Sequence, residues 1–162
     1  MQECLGRLCC AYNKNIKLKA KDAASNAGNL SLRNGKLKMN HWLVKSEPFV
    51  YSWDDFEKSG RSVWDGVRNY QARNNLKAMQ KGDWVFFYHS NEGLAVVGIA
   101  QVDREAYPDP TTDDARWVVV ELVPVQKLKR PVSLQEIKSD NRLQEIALIR
   151  QSRLSVLSLI HI

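Results

Sequence analysis

The stretch Trp84-Val85-Phe86-Phe87-Tyr88-His89, then Ser90-Asn91-Glu92-Gly93, then Leu94-Ala95-Val96-Val97-Gly98-Ile99-Ala100-Gln101-Val102 decides the fold class. Both flanks are dense in aromatic and β-branched residues, which suit a pleated, half-buried surface, and the four residues between them carry Asn and Gly where the chain must reverse. A β-hairpin is the direct reading. On its N-terminal side, His41-Trp42-Leu43-Val44-Lys45 is a short strand-like run ended by Ser46-Glu47-Pro48. Ser52 with Asp55 three places on has the form of a capping box, predicting a short helix to Lys58 with Gly60 as its stop. Val63-Trp64-Asp65-Gly66 reads as a brief extended piece and a turn, and Asn69 then caps a helix of about ten residues that Gly82 stops.

On the C-terminal side, Tyr107-Pro108-Asp109-Pro110 through Asp114 predicts a loop, and the Val-rich run Arg116 to Val123 a strand. Lys127-Leu128-Lys129-Arg130 reads as a solvated charge run. Ser133 with Glu136 repeats the capping box, a second short helix is expected around Asn141 to Ala147, and Arg153 to Leu157 closes the set as a strand. Hairpin-linked strands interrupted by short helices, without regular βαβ alternation, predict an α+β architecture: a small antiparallel or mixed, partly closed β-barrel with flanking short helices at its ends.

Composition narrows the class further. The chain has 162 residues, 44% hydrophobic and 26% charged, which excludes fibrous and wholly disordered classes and implies one compact domain. No apolar run approaches the roughly 18 residues of a membrane-spanning helix, so a soluble protein with no membrane partner is expected. The net charge of +6 sits entirely in residues 1–38, which hold eight basic and two acidic residues, leaving sixteen of each sign in residues 39–162. Residues 1–38 are therefore read as a poorly ordered basic leader, an extension ahead of a body that starts at Met39, with a transit peptide as the alternative. A strongly cationic face for gripping long duplexes by counterion release is not expected on that body. Cys4, Cys9 and Cys10 all fall in the leader, an odd group that is neither a disulfide framework nor a zinc site. A reducing intracellular location, cytoplasmic or nuclear, and a monomer with no metal and no cofactor are the expectations.

Enzyme signatures are sought first because they are the most specific. The sequence has no phosphate-binding Walker loop, dinucleotide glycine fingerprint, nucleophile elbow or metal-type His pair, and His41, His89 and His161 are scattered. No nucleophile–base–orienter set can be named, so no catalytic residue is assigned. The tryptophans say more. Trp42, Trp84 and Trp117 fit a barrel core, whereas Trp64 runs into Asp65-Gly66-Val67-Arg68-Asn69-Tyr70-Gln71-Ala72-Arg73-Asn74-Asn75, a stretch crowded with planar hydrogen-bonding groups. A planar ligand such as a nucleobase needs an aromatic face and directed donors and acceptors at its edge. Trp64 offers the face, and Asp65, Arg68 and Asn69 the edge. An equally good reading of the same residues has Asn69 only capping its helix while Arg68 and Arg73 pair with carboxylates.

These residues carry a resemblance. His41 to Pro48, Tyr51-Ser52-Trp53-Asp54-Asp55, Trp64 to Asn74, Gly82-Asp83, Phe87-Tyr88-His89-Ser90, Val97-Gly98-Ile99-Ala100, Tyr107 to Thr111 and Arg150-Gln151-Ser152-Arg153-Leu154-Ser155-Val156 together resemble an EVE domain of the thymocyte nuclear protein type. The resemblance runs from Met39 almost to the C-terminus. It implies a PUA-like fold, a kinship with the YTH domains that hold methylated adenine in an aromatic cage, and recognition of a modified base in DNA or RNA. Carried over by position, Lys45-Ser46 stands where YTH domains have a Lys-Ser pair, and Trp64 where they have a cage wall. Tyr88 and Tyr107 are the candidates for a second aromatic. His89 and Ser90, at a strand end, complete the candidate base pocket of Ser46, Trp64, Asp65, Arg68, Asn69, Tyr88, His89, Ser90 and Tyr107. Lys45, Arg73, Arg150 and Arg153 are the candidate phosphate contacts. Members of the family continue past the Leu-Ser-Val segment with a Pro-containing turn, so a truncated C-terminus is also expected. Two other classes stay open: an enzyme acting on a modified base or nucleotide, and a module that binds a peptide or small molecule.

Overall fold

The computed structural model describes residues 39–159; the basic leader, its three cysteines and His161 lie outside the described residues. Strand β1 (His41–Ser46) is followed by helix α1 (Trp53–Ser59), β2 (Ser62–Trp64) and helix α2 (Tyr70–Ala78). Then come β3 (Trp84–His89), β4 (Ala95–Pro108), β5 (Val118–Ser133), α3 (Leu134–Ser139), a 3-10 turn at Asn141–Leu143, α4 (Ala147–Arg150) and β6 (Val156–Ser158). The six strands form one mixed sheet in the order β2-β5-β4-β3-β1-β6, curled into a half-barrel. None of the described helices is long and apolar enough to cross a membrane.

Local chemistry sets the helix limits. The Ser52 and Asp55 capping box forms as expected, and Gly60 ends α1 in the left-handed region at φ +68°. Asn69 Oδ1 accepts the Ala72 N–H to open α2, and the Ser133 and Glu136 box opens α3. The β3–β4 hairpin forms, with β3 at its expected limits, turning through Asn91 and Gly93 at positive φ.

The sheet is mixed, within the expected class: β1 lies parallel to β3, from His41 opposite Trp84 to Ser46 opposite His89, because α1, β2 and α2 intervene as a crossover. Several other expectations are corrected. Tyr107 and Pro108 end β4 rather than opening a loop; bulges let this long strand follow β5 to the pair Pro108 and Val118, where proline's missing N–H is tolerated. Lys127 to Arg130 belong to β5, with Leu128 half-buried between exposed cations. Trp117 precedes β5 instead of lying on it. Helix α2 stops at Ala78, before Gly82, which instead forms the turn into β3 at φ +93°. The 141–147 helix is split into a 3-10 turn and α4, and the closing strand is confined to Val156–Ser158.

The core lies inside the half-barrel. Trp53 meets Phe56 and Phe87 edge-on at 5.5 and 5.4 Å, and Phe56 stacks on Phe87 at 5.5 Å. Gly98 allows this packing, since a Cβ there would stand 2.3 Å from the Trp53 ring. At the other end, buried Asp83 accepts hydrogen bonds from the Trp42 indole at 2.8 Å and from the Asn40 and Gln80 backbone N–H groups. This knot ties the start of β1 to the turn before β3.

Candidate functional site

At one end of the half-barrel the chain after β2 turns through Gly66, φ +69°, on its way to Asn69, and the first turn of α2 faces the loop that joins α4 to β6. Between them is an open cleft of about 340 Å³, lined by Asn69 and Gln71 on one side and by residues 150–154 on the other. The loop is pinned from below. Lys45 Nζ donates to the Ser152 carbonyl at 2.8 Å, Lys45 N–H to the Ser155 carbonyl at 2.9 Å, and Asn75 Nδ2 on α2 to the Val156 carbonyl at 2.7 Å. Across the cleft, Gln71 Nε2 donates to Gln151 Oε1 at 2.9 Å, so one amide pair bridges its two walls.

The lining is amide, guanidinium and hydroxyl with one apolar side chain, Leu154, and no carboxylate. Its electrostatics follow from how the arginines are used. Seven of the nine arginines in residues 39–159 are paired with carboxylates, Arg150 with Glu145 among them. The two without such a partner among the described residues are Arg153, on the cleft, and Arg73, one turn along α2 from Asn69. Burial pushes the Lys45 ammonium below its ordinary pKa.

Three sequence candidates, Asn69, Arg150 and Arg153, therefore meet at one opening, with Lys45 beneath it. The others are placed as follows. Ser46 Oγ donates to the Tyr51 carbonyl at 2.6 Å, while its own carbonyl accepts the Ser90 N–H and hydroxyl at 2.8 and 3.2 Å. His89 Nε2 accepts the Trp53 N–H at 3.2 Å, satisfying the first free donor of α1, and burial holds the imidazole below its ordinary pKa. Tyr88 is buried on β3, which raises its phenol pKa. Trp64 is 9% exposed and meets Phe87 edge-on at 5.7 Å, across the barrel interior. Asp65 is exposed at the turn after β2. Arg68 Nη1 donates to buried Asp109 at 2.7 Å, and its guanidinium lies 5.6 Å over the Trp117 ring. Tyr107 donates its hydroxyl to Glu121 at 3.2 Å beneath the guanidinium of Arg104, 4.0 Å over its ring. Neither Trp64 nor Tyr107 lines the cleft. The capping and ion-pair reading of the sequence thus describes Asn69 and Arg68, while Arg73 bonds Asn74 and covers Tyr70 instead of meeting a carboxylate.

Gln71, Gln151, Ser152 and Leu154 line the cleft without having been singled out as ligand contacts. The available signal was density: planar polar groups crowd both 68–75 and 150–153, and two such runs that meet in space make a polar site. Among the described residues no group of His, Cys, Asp and Glu has the arrangement of a metal site.

With this geometry in hand, comparison with known proteins is informative. The EVE domain family model matches residues 40–160. The chain belongs to the EVE domain family. Mouse thymocyte nuclear protein 1 is 36% identical to this EVE domain chain over 156 residues, covering 75% of the chain and 69% of the relative. A crystal structure of an Agrobacterium tumefaciens protein is 48% identical with TM-score 0.72, covering 74% of this chain and 84% of its own. The human THYN1 protein, solved in complex with DNA containing 5-methylcytosine, is 33% identical with TM-score 0.70, covering 75% and 91%. The PUA-like half-barrel is therefore the shared EVE architecture.

Proposed function

We propose that this EVE domain is a nucleic-acid-binding module, not an enzyme, that accepts one modified base of DNA or RNA at the cleft between α2 and the 150–154 loop. The single observation that carries the reading is that cleft: about 340 Å³, at the lower end of the roughly 300–1,000 Å³ typical of small-ligand sites, with amides and cations converging on it. A planar base entering it exchanges the Gln71–Gln151 hydrogen bond for contacts of its own edge with these amides and with Asn69. Arg153, Arg150 and Arg73 stand at the rim for the phosphates, with Lys45 behind. Trp64, which does not line the cleft, is proposed to back it from the barrel interior, where it is buried against Phe87. Ser46, Arg68, Tyr88, His89, Ser90 and Tyr107 are proposed to act one layer back, holding these walls in position through the bonds described above. The methylated DNA held by the human relative supports the modified-base reading. The ligand implies an intracellular site of action, nuclear or cytoplasmic.

The test is a fluorescence titration with matched DNA and RNA oligonucleotides that carry 5-methylcytosine, methylated adenine or only plain bases. The five indoles supply the signal. One modified oligonucleotide is expected to bind more tightly than its plain partner, and Gln151→Ala to remove the difference. Because Trp64 is buried outside the cleft lining, Trp64→Phe, which keeps an aromatic ring against Phe87, is expected to leave the preference for the modified oligonucleotide in place. Equal binding of all oligonucleotides by the wild type would end the proposal.

A further inference from the structure

Tyr70 stands between Asn69 and Gln71, the two α2 residues on the cleft, yet it points elsewhere. Its ring, 53% exposed, lies 5.3 Å from Trp117 at an interplanar angle of 32°. The Arg73 guanidinium lies 4.9 Å over the same ring, and the Tyr70 hydroxyl accepts from Arg116 Nη1 at 3.1 Å. Nε and Nη2 of Arg73 both donate to Asn74 Oδ1, at 3.2 and 2.8 Å, which fixes the guanidinium beside the tyrosine. Arg116 is neutralised by Asp114, whereas Arg73 meets no carboxylate among the described residues. Trp117, Tyr70 and Arg73 together form an aromatic and cationic ledge, with the Tyr70 ring exposed, next in sequence to the cleft residues Asn69 and Gln71. Such groups accept an unstacked base on their face and a phosphate at their edge.

We propose that the Trp117, Tyr70 and Arg73 ledge is a second subsite that takes the nucleotide next to the base in the cleft, so that the ligand is a single-stranded segment and not a free nucleoside. This rests on the base-binding reading above. The Asn69–Gln71 spacing requires it to sit beside the first site: a strand whose base occupies the cleft has its neighbour within one nucleotide of Tyr70. The ledge reads no base edge, so the flanking position is sequence-tolerant.

The full chain is titrated with 5-methylcytidine and with single-stranded trinucleotides carrying 5-methylcytosine at the centre. The wild type is expected to bind the trinucleotide about tenfold more tightly, within the range for one stacked base. Tyr70→Leu, which still covers Trp117, removes that advantage and leaves nucleoside binding unchanged; Tyr70→Phe retains it. Arg73→Gln lowers the slope of log K against log salt for the trinucleotide by about 0.7, the share of one phosphate contact on a single strand. Thermal unfolding checks each fold, and if Tyr70→Leu does not fold, Tyr70→Gln takes its place, with the same loss of the trinucleotide advantage alone expected. Equal trinucleotide and nucleoside affinities in the wild type, or a Tyr70→Leu loss that is the same for both, overturns the subsite. A wild type that binds neither ligand instead overturns the base-binding reading, and the subsite with it.

Discussion

Gly98→Ala is the sharpest probe of how the barrel is closed. An added Cβ would lie 2.3, 2.4 and 2.5 Å from three carbons of the Trp53 six-membered ring, far inside van der Waals contact. The ring has nowhere to go: Trp53 is 1% exposed and wedged edge-on between Phe56 and Phe87, both fully buried. Nor can its backbone retreat freely, because the Trp53 N–H is bonded to His89 and opens α1. Overpacking a rigid core costs about 1–3 kcal/mol, and a clash against an immobile indole belongs at the top of that range. For a domain of this size, about 3 kcal/mol corresponds to a fall of roughly 10 °C in the thermal midpoint. The assay is urea and thermal unfolding of wild type, Gly98→Ala, Trp53→Leu and the double variant. The two changes should be strongly non-additive, since the smaller side chain makes room for the methyl. A Gly98→Ala midpoint indistinguishable from wild type, or full additivity in the double variant, would refute the packing of Trp53 across β4.

Two further outcomes follow from buried polar groups. Burial holds His89 and His41 below the ordinary imidazole pKa of about 6.5, so the unfolded chain binds more protons than the folded one; stability is complete above that value and declines as pH falls through it, and His89→Gln, which keeps an acceptor for the Trp53 N–H, should flatten the slope between pH 5 and 7 in chemical denaturation. Asp109 is buried, which opposes its ionisation, but the Thr111 hydroxyl and N–H and the Arg68 guanidinium outweigh this and hold the carboxyl below its usual range; Arg68→Met should therefore lose about 1–3 kcal/mol at neutral pH, with the deficit shrinking below about pH 4 as the carboxylate protonates in both proteins.

What could be read from the sequence was what local chemistry determines. The capping boxes at Ser52 and Ser133, the Asn69 cap, the Gly60 stop and the β3–β4 hairpin each depend on residues within four positions of one another. The parallel pairing of β1 with β3 was hidden because it depends on where β2 docks, and Ser62–Trp64 is too short to announce its partner on β5. The extension of β4 to Pro108 was hidden for a related reason: turn-forming residues were read as a loop, while cross-strand contacts of Arg104 and Tyr107 with Glu121 keep the strand paired. At the site, the sequence could name Asn69, Arg150 and Arg153 from residue type. It could not place the 150–154 loop against α2, since that contact joins segments about 80 positions apart and is secured by Asn75 on α2 itself and by Lys45 from β1.

Charge placement limits how such a domain can bind. The described body is nearly neutral, and pairing with carboxylates uses seven of its nine arginines, so long-range attraction to a polyanion is weak. Arg73 and Arg153, the two left without carboxylates, flank one cleft, which confines phosphate contact to the few nucleotides that pass it. Each such contact adds only about 0.7–0.9 to the salt slope, so a shallow slope is expected and electrostatics alone cannot hold the complex at physiological salt. Affinity must then come from what enters the cleft and what stacks beside it. A ligand recognised mainly through one base and its neighbour dissociates when either is wrong, which makes a neutral scaffold with a local cationic rim better suited to discriminating a base than to gripping a duplex.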